Sequence, residues 1–138
     1  MEYNLPSDLV KNLDFGGDAK ERVIKGVNKL AQAVKSTLGA SGKCVIYEDG
    51  RGKPVITKDG VTVAESVVLR DAVENMGATL IKEAARNTVR DAGDGTTTAT
   101  VLAEALIKQI DAAVADGLTI REIKDGVNKT LDEVISYL

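Results

Sequence analysis

The chain has 138 residues, 43% hydrophobic and 28% charged, with a net charge of −3, values that fit one soluble domain or a piece of a larger one. That charge and an aromatic content of 3% exclude a nucleic-acid footprint, which needs a basic stripe and stacking rings. The absence of histidine and the single cysteine, Cys44, remove the usual neutral-pH general base, the commonest metal ligand, an intrachain disulfide and a thiolate zinc centre.

The core must be built from Val, Ile, Leu and Ala. Cys44, in the apolar run "KCVIY", reads as a small packing residue. The start "MEYNLPSDLV" lacks the cationic opening and long apolar run of a signal peptide, and no run of 18 apolar residues is present to span a membrane. A cytoplasmic, membrane-free protein is expected.

In chain order, residues 1–12 are polar and irregular, a flexible lead-in. Leu13–Phe15 read as a short strand before Gly16-Gly17. Asp18 and Glu21 form a capping box, followed by Val23, Val27, Leu30 and Val34 at helical spacing, with Ile24, Ala31 and Leu38 on a neighbouring stripe. Gly39 is the expected helix stop. Cys44–Tyr47 and Pro54–Thr57 are β-type runs around the turn-rich "EDGRGK", a hairpin signal. A short element follows "KDG" to about Val68.

Three helices complete the pattern. The first is capped by Asp71 and Glu74 and runs through Val73, Met76, Leu80, Ala84 and Ala85 to about Asp91. The second, Thr96–Asp116, carries Leu102, Leu106, Ile110 and Ala113 and stops at Gly117. The third is capped by Thr119 and Glu122, with Ile123, Val127, Leu131, Val134 and Leu138 on one face. The apolar faces around Leu102, Leu106, Val127, Leu131 and Val134 need partners. The last stripe still runs at Leu138, as expected of a piece of a longer protein.

The chemistry is concentrated in "DAGDGTTTATVL", Asp91–Leu102. Threonine is a mediocre helix former, yet three open this helix. A helix N-terminus offers unpaired N–H groups and partial positive charge, a ready anion site. Gly93 and Gly95 allow close backbone approach, Thr96, Thr97 and Thr98 add hydroxyl donors, and the Asp94 carboxylate makes sense beside phosphate if Mg²⁺ lies between. The same letters also suit an ordinary capped helix start, for which one threonine would suffice. "GASGKC" is not a Walker A loop, because two residues separate its glycines and Cys44 follows the lysine; "GDAKERVIKG" lacks a dinucleotide fingerprint. On pattern alone, "TKDG" (Thr57–Gly60) is a solvated turn and "STLG" (Ser36–Gly39) a helix end.

Taken together, "TLG", "TKDGVTVA", "ENMGA" and "AGDGTTTATVLA" occur here in the order and near the spacing of group I chaperonins. From about Lys11 to Leu138 the chain resembles the N-terminal part of a GroEL-type subunit. The resemblance implies a mainly α fold with a small β-hairpin, the N-terminal half of the multi-helical equatorial ATP-binding domain over 13–138, with the intermediate and apical domains absent. It implies ATP and Mg²⁺, with K⁺ as an optional further ion. Its partners would be other subunits of a homo-oligomeric double ring and, through the absent domains, a co-chaperonin and unfolded proteins.

By the same resemblance, Thr37, Leu38 and Gly39, with Ala40 beside them, match a loop embracing the nucleotide. Lys58, Asp59 and Gly60 match a second loop by the phosphates, Asp59 being the catalytic candidate of this segment. Asp94 matches the Mg²⁺-binding aspartate, and Gly95, Thr96, Thr97 and Thr98 the phosphate-binding helix start. The family's usual "TLGPKG" is "TLGASG" here. Ala40 in place of proline frees a φ angle, raising the cost of ordering the loop by about 0.4–1 kcal/mol. The lead-in is several residues longer than usual. The family's downstream water-activating aspartate is missing, so poor ATP hydrolysis by this chain alone is expected. The implied function is that of an ATP-dependent folding chaperonin subunit. The alternative is a naturally short, non-catalytic chaperonin-like protein that binds nucleotide or joins a ring.

Overall fold

A computed structural model describes residues 13–138; the expected lead-in, 1–12, lies outside the described residues. The element order is α1 (Gly16–Lys35), β1 (Val45–Glu48), β2 (Pro54–Thr57), α2 (Gly60–Ser66), α3 (Ala72–Ala92), α4 (Thr96–Ala115) and α5 (Ile120–Tyr137). The mainly α architecture with one small hairpin is as the sequence implies.

The core lies where α1, α2 and α3 meet. Val27, Leu30 and Val34 of α1 pack with Val63 and Ala64 of α2 and Ala78 and Ile81 of α3, and Ala103 and Ile107 of α4 close one side. Two glycines let α1 and α3 cross almost backbone to backbone. A Cβ on Gly26 would lie 1.8 Å from the Glu74 carbonyl oxygen, and one on Gly77 would lie 2.1 Å from that of Val23. The crossing is pinned at its rim by charge. Arg22 donates to Asp71 at 2.6 Å, and the buried Glu74 carboxylate takes Lys25 at 3.1 Å and Lys29 at 2.5 Å.

Several sequence expectations are corrected. Leu13–Phe15 form no strand, because among the described residues the one sheet is the β1–β2 pair and nothing stands beside them to complete a ladder. Helix α1 begins at Gly16 after Phe15, with no side-chain cap. Asp18 sits inside its first turn, 3.7 Å from Arg22, where a carboxylate suits the helix dipole. The helix ends at Lys35, before Gly39. Ser36 and Thr37 turn their hydroxyls back onto the Ala33 and Val34 carbonyls at 2.7 Å each, and the loop from 36 to 43 is closed by Lys43 N donating to Ser36 O at 2.7 Å.

The hairpin forms in the antiparallel register Val45↔Thr57, Ile46↔Ile56 and Tyr47↔Val55. Val45, Tyr47, Val55 and Thr57 are half-buried, while Ile46 and Ile56 point to solvent. Cys44, expected as a packing residue, is exposed, since only Val45 at this end of the strand reaches the core.

On α3 the Asp71 cap is made, its carboxylate accepting from the Val73 and Glu74 amides. Glu74 does not complete the box, because α1 lysines claim its side chain. The buried stripe is Val73, Gly77, Ala78, Ile81 and Ala85, not the Met76–Leu80 line, and both Met76 and Leu80 are exposed. On α4 the buried residues are Thr96, Thr100 and Glu104, whereas Leu102 and Leu106 face outward. Thr100 and Glu104 of that polar face are paired in place. Thr100 donates to the Thr96 carbonyl at 2.8 Å, Lys108 reaches Glu104 Oε1 at 2.7 Å, and Lys35 of α1 pairs with Oε2 without hydrogen-bond geometry. Helix α5 has the full Thr119–Glu122 capping box but buries no residue. Its stripe of Val127, Leu131 and Val134 stays exposed, so among the described residues these faces are left without full cover, as the sequence anticipates.

Candidate functional site

The stretches singled out by sequence converge on the start of α4. Gly93 ends α3 at φ +78° and Gly95 precedes α4 at φ +92°, left-handed conformations that glycine adopts without steric cost. Between them Asp94 is exposed, with Oδ1 accepting from the Gly95 amide at 2.6 Å. Because the N-cap is glycine, no side chain occupies the first-turn amides of α4. By contrast α2, α3 and α5 are each capped by Asp59, Asp71 or Thr119.

The threonine hydroxyls make the same distinction. Thr37, Thr62, Thr79, Thr88, Thr100, Thr119 and Thr130 each donate within the protein, and the Thr57 hydroxyl accepts from the Asp59 amide. Among the described residues, those of Thr96, Thr97 and Thr98 have no such bond.

These residues line an open, mainly polar cleft of about 200 Å³, formed by Asp59, Gly60, Val61, Asp94, Gly95, Thr96, Thr97 and Thr98. Gly60 draws three stretches together. A Cβ there would stand 2.3 Å from Thr97 Oγ1 and 3.6 Å from Thr37 Oγ1. The "TKDG" turn and the "STLG" helix end are therefore seated against "GDGTTT", which sequence pattern alone did not require of them. Of the expected residues, Lys58 is exposed, lines no part of the cleft and joins no ion pair among the described residues. Leu38, Gly39 and Ala40 are exposed and outside its lining, although Thr37 brings their loop to its edge.

Asp59 caps α2. Its Oδ2 accepts from the Thr62 hydroxyl at 2.5 Å and the Thr62 amide at 2.9 Å, and its Oδ1 has the Val61 amide at 3.4 Å. The Thr62 hydroxyl, then the Thr62 amide, holds the Asp59 carboxyl below the usual aspartate range against a smaller opposing effect of lost water. Two carboxylates with uncommitted oxygen capacity thus face a row of donors. No group of three or more acidic, His or Cys residues that could hold a metal exists among the described residues. Two carboxylates do fit Mg²⁺ as it is bound with phosphate, through one or two carboxylates and the phosphate oxygens.

Sequence reasoning missed Val61 and Thr62. Thr62 was legible as the third residue after an Asp cap, in "DGVT". Val61 and Thr96 also border a second, apolar cavity of about 220 Å³ with Ala64, Ala85 and Val89 in its wall. The Arg86–Glu65 pair at its rim is bidentate, at 2.7 and 2.5 Å.

This helical arrangement is the fold of a chaperonin equatorial domain. The chain superposes on a group III chaperonin crystallised in the open state with a TM-score of 0.72 and 31% identity, over 84% of this chain and 23% of that one. It therefore spans about a quarter of the length of that chaperonin. The profile of the TCP-1/cpn60 chaperonin family matches residues 30–138, a range holding every candidate site residue, and the chain belongs to that family.

Proposed function

We propose that this chain is the N-terminal equatorial segment of a group I chaperonin subunit and that its cleft binds Mg²⁺-ATP. The observation that carries the reading is the row of three free threonine hydroxyls at an uncapped helix start. First-turn amides and hydroxyls of α4 would hold the phosphate oxygens, with the helix dipole favouring negative charge. Asp94 would hold Mg²⁺ beside them, with Asp59 across the cleft; the bound ion supplies charge neutralisation for phosphoryl transfer. Gly60 keeps the Asp59 turn close enough for both loops to share one ligand. Thr37, Leu38, Gly39 and Ala40 would border the nucleotide from the edge, and Lys58 would act from outside the cleft. K⁺ fits the reading as a further phosphate-side ion.

Chaperonins as a family are ring-forming ATPases, and the words "TKDGVTVA", "ENMGA" and "AGDGTTTATVLA" favour the group I branch within it. The reading carries with it a cytoplasmic ring of like subunits, a co-chaperonin and unfolded protein substrates, all served by the complete protein. Asp59 and Asp94 are the carboxylates lining the cleft. Both are assigned to the bound Mg²⁺, which leaves no carboxylate of the cleft to activate the attacking water, so slow hydrolysis by this chain is expected.

Native mass spectrometry with and without Mg²⁺-ATP tests the reading. Retained nucleotide that needs Mg²⁺ and is lost on Thr97→Val supports it. Absence of nucleotide at millimolar Mg²⁺-ATP, or equal retention by Thr97→Val and Asp94→Asn, refutes it.

A further inference from the structure

We propose that Thr62 is a positioning residue for the cleft: by saturating Asp59 Oδ2 it fixes the carboxylate so that Oδ1 is the oxygen offered to a bound Mg²⁺-nucleotide. The proposal rests on the reading of the cleft given above and names a residue outside its lining.

The two carboxylate oxygens of Asp59 are not equivalent. Oδ2 carries the Thr62 hydroxyl at 2.5 Å and the Thr62 amide at 2.9 Å, while Oδ1 has the Val61 amide at 3.4 Å. A contact of that length is weak beside the other two, so Oδ1 keeps nearly all of its acceptor capacity. A cap residue held by amides alone still rotates about its terminal torsion, which is broad for aspartate. The hydroxyl adds a second bond to the same oxygen from a β-branched side chain, which is restricted at χ1. The pair Asp59–Thr62 is thus a rigid fork. Its base is tied to the core through Val63 and Ala64, both buried. Its free prong belongs to a residue that lines the cleft beside Asp94, Gly95 and Thr97. Asp71 and Thr119 cap their helices in other ways: Asp71 spends Oδ1 on two amides and Oδ2 on Arg22, and Thr119 is closed by Glu122. Asp59 is the capping carboxylate that keeps one oxygen open at the candidate site.

The test compares Thr62→Val and Thr62→Ser in this chain. Val keeps the branched shape and loses the hydroxyl; Ser restores the hydroxyl. Mg²⁺-ATP affinity is read by calorimetry, and the ¹³C shift of the Asp59 carboxyl carbon is read by NMR without nucleotide. Loss of one hydrogen bond to a charged group predicts about three- to tenfold weaker Mg²⁺-ATP binding by Thr62→Val. Metal-free nucleotide should change less, and Thr62→Ser should return within about twofold of the parent. The carboxyl carbon should move in Thr62→Val and stay near the parent position in Thr62→Ser. Equal affinities across the three proteins would overturn the proposal, as would a serine variant as weak as the valine one. If the parent chain binds no nucleotide, the reading of the cleft fails, and the carboxyl shift alone decides the role of Thr62: an unmoved carbon in Thr62→Val overturns it.

Discussion

Replacing Gly77 by alanine sets two physical effects of opposite sign against each other. In an isolated helix, Gly→Ala is favourable by about 1 kcal/mol. Here the new Cβ would stand 2.1 Å from the Val23 carbonyl oxygen, 0.9 Å short of the 3.0 Å floor for such contacts. The obstacle is backbone, so no side chain can swing away, and α1 and α3 must part by close to that amount. A gap of about 0.5–1 Å forfeits a quarter to a half of each dispersion contact across it. Val27, Leu30 and Val34 on one side and Ile81 on the other are the branched core residues affected. At about 1.5–3 kcal/mol for each buried side chain, a quarter lost over four of them is about 1.5–3 kcal/mol. After the helix-propensity gain the net is a loss of about 0.5–2 kcal/mol. Urea unfolding followed by far-ultraviolet circular dichroism measures it. Gly126→Ala in α5 is the control, because a Cβ there meets nothing within 4 Å, and it should be stabilising. A Gly77→Ala midpoint that rises with that of Gly126→Ala would refute the close-crossing argument.

The remaining predictions concern the site, the buried charge and the thiol. Gly60→Ala should push the Thr97 hydroxyl aside, since its Cβ would stand 2.3 Å away; Mg²⁺-ATP binding measured by calorimetry should fall about tenfold or more while the urea midpoint moves little, and unchanged binding would contradict the convergence of the two loops. Glu104→Gln should destabilise the chain by about 1–2 kcal/mol, less than a fully enclosed pair would lose because Lys35 and Lys108 remain partly solvated. Burial pushes the Glu104 carboxyl up, but Lys108 and Lys35 outweigh it and hold it below the usual glutamate range. Its contribution is therefore complete above the unfolded-state value and lost as pH falls through the lower folded-state value; pH-dependent urea titrations should show the parent and Glu104→Gln converging in acid, and parallel curves would refute the assignment. Cys44, being exposed, should react with a thiol reagent in the native chain as fast as in urea; labelling that needs denaturant would show that the strand end is covered.

Element positions were largely legible because periodicity and capping chemistry are local. Asp71 and Thr119 cap the helices they were expected to cap, and the hairpin register follows from the turn-rich segment between two β-type runs. Which helix face turns inward was less legible, because that is decided between helices. On α3 a glycine, not a leucine, sits at the centre of the packed stripe; on α4 a threonine and an ion-paired glutamate are buried while Leu102 and Leu106 stay outside. Hydropathy counts Gly77, Thr100 and Glu104 as outward, yet close approach, a carbonyl bond and two lysines make each acceptable inside. For the site, residue types pointed to "GDGTTT", but its contact with Gly60 and Thr37 is a tertiary fact. Thr62 went unseen because its role depends on which oxygen of Asp59 it occupies.

The departures from good local design gather at one place. Threonine costs about half a kcal/mol per helical position relative to alanine, and α4 accepts it at Thr96, Thr97 and Thr98 in succession. Its N-cap carries no side chain, while three of the other helices close theirs with Asp or Thr. Among the described residues its first-turn hydroxyls have no protein partner, whereas every other threonine there has one. Local rules broken together, at a cleft where two carboxylates also hold spare acceptor capacity, are the pattern expected of a binding site rather than of a helix start selected for stability. The rigid parts stand directly behind it: the Gly26–Gly77 crossing fixes α1 against α3, and α2 rests on that pair through Val63 and Ala64. Asp59 and Gly60 are thereby held against the open end of α4. A ligand carrying several anionic oxygens would complete the bonds that α4 leaves unmade, and nucleotide should accordingly raise the protection of the Thr97 and Thr98 amides from hydrogen exchange well above that of the α5 amides. Equal protection of the two helices with nucleotide bound would mean that the open helix start is not where the phosphates sit.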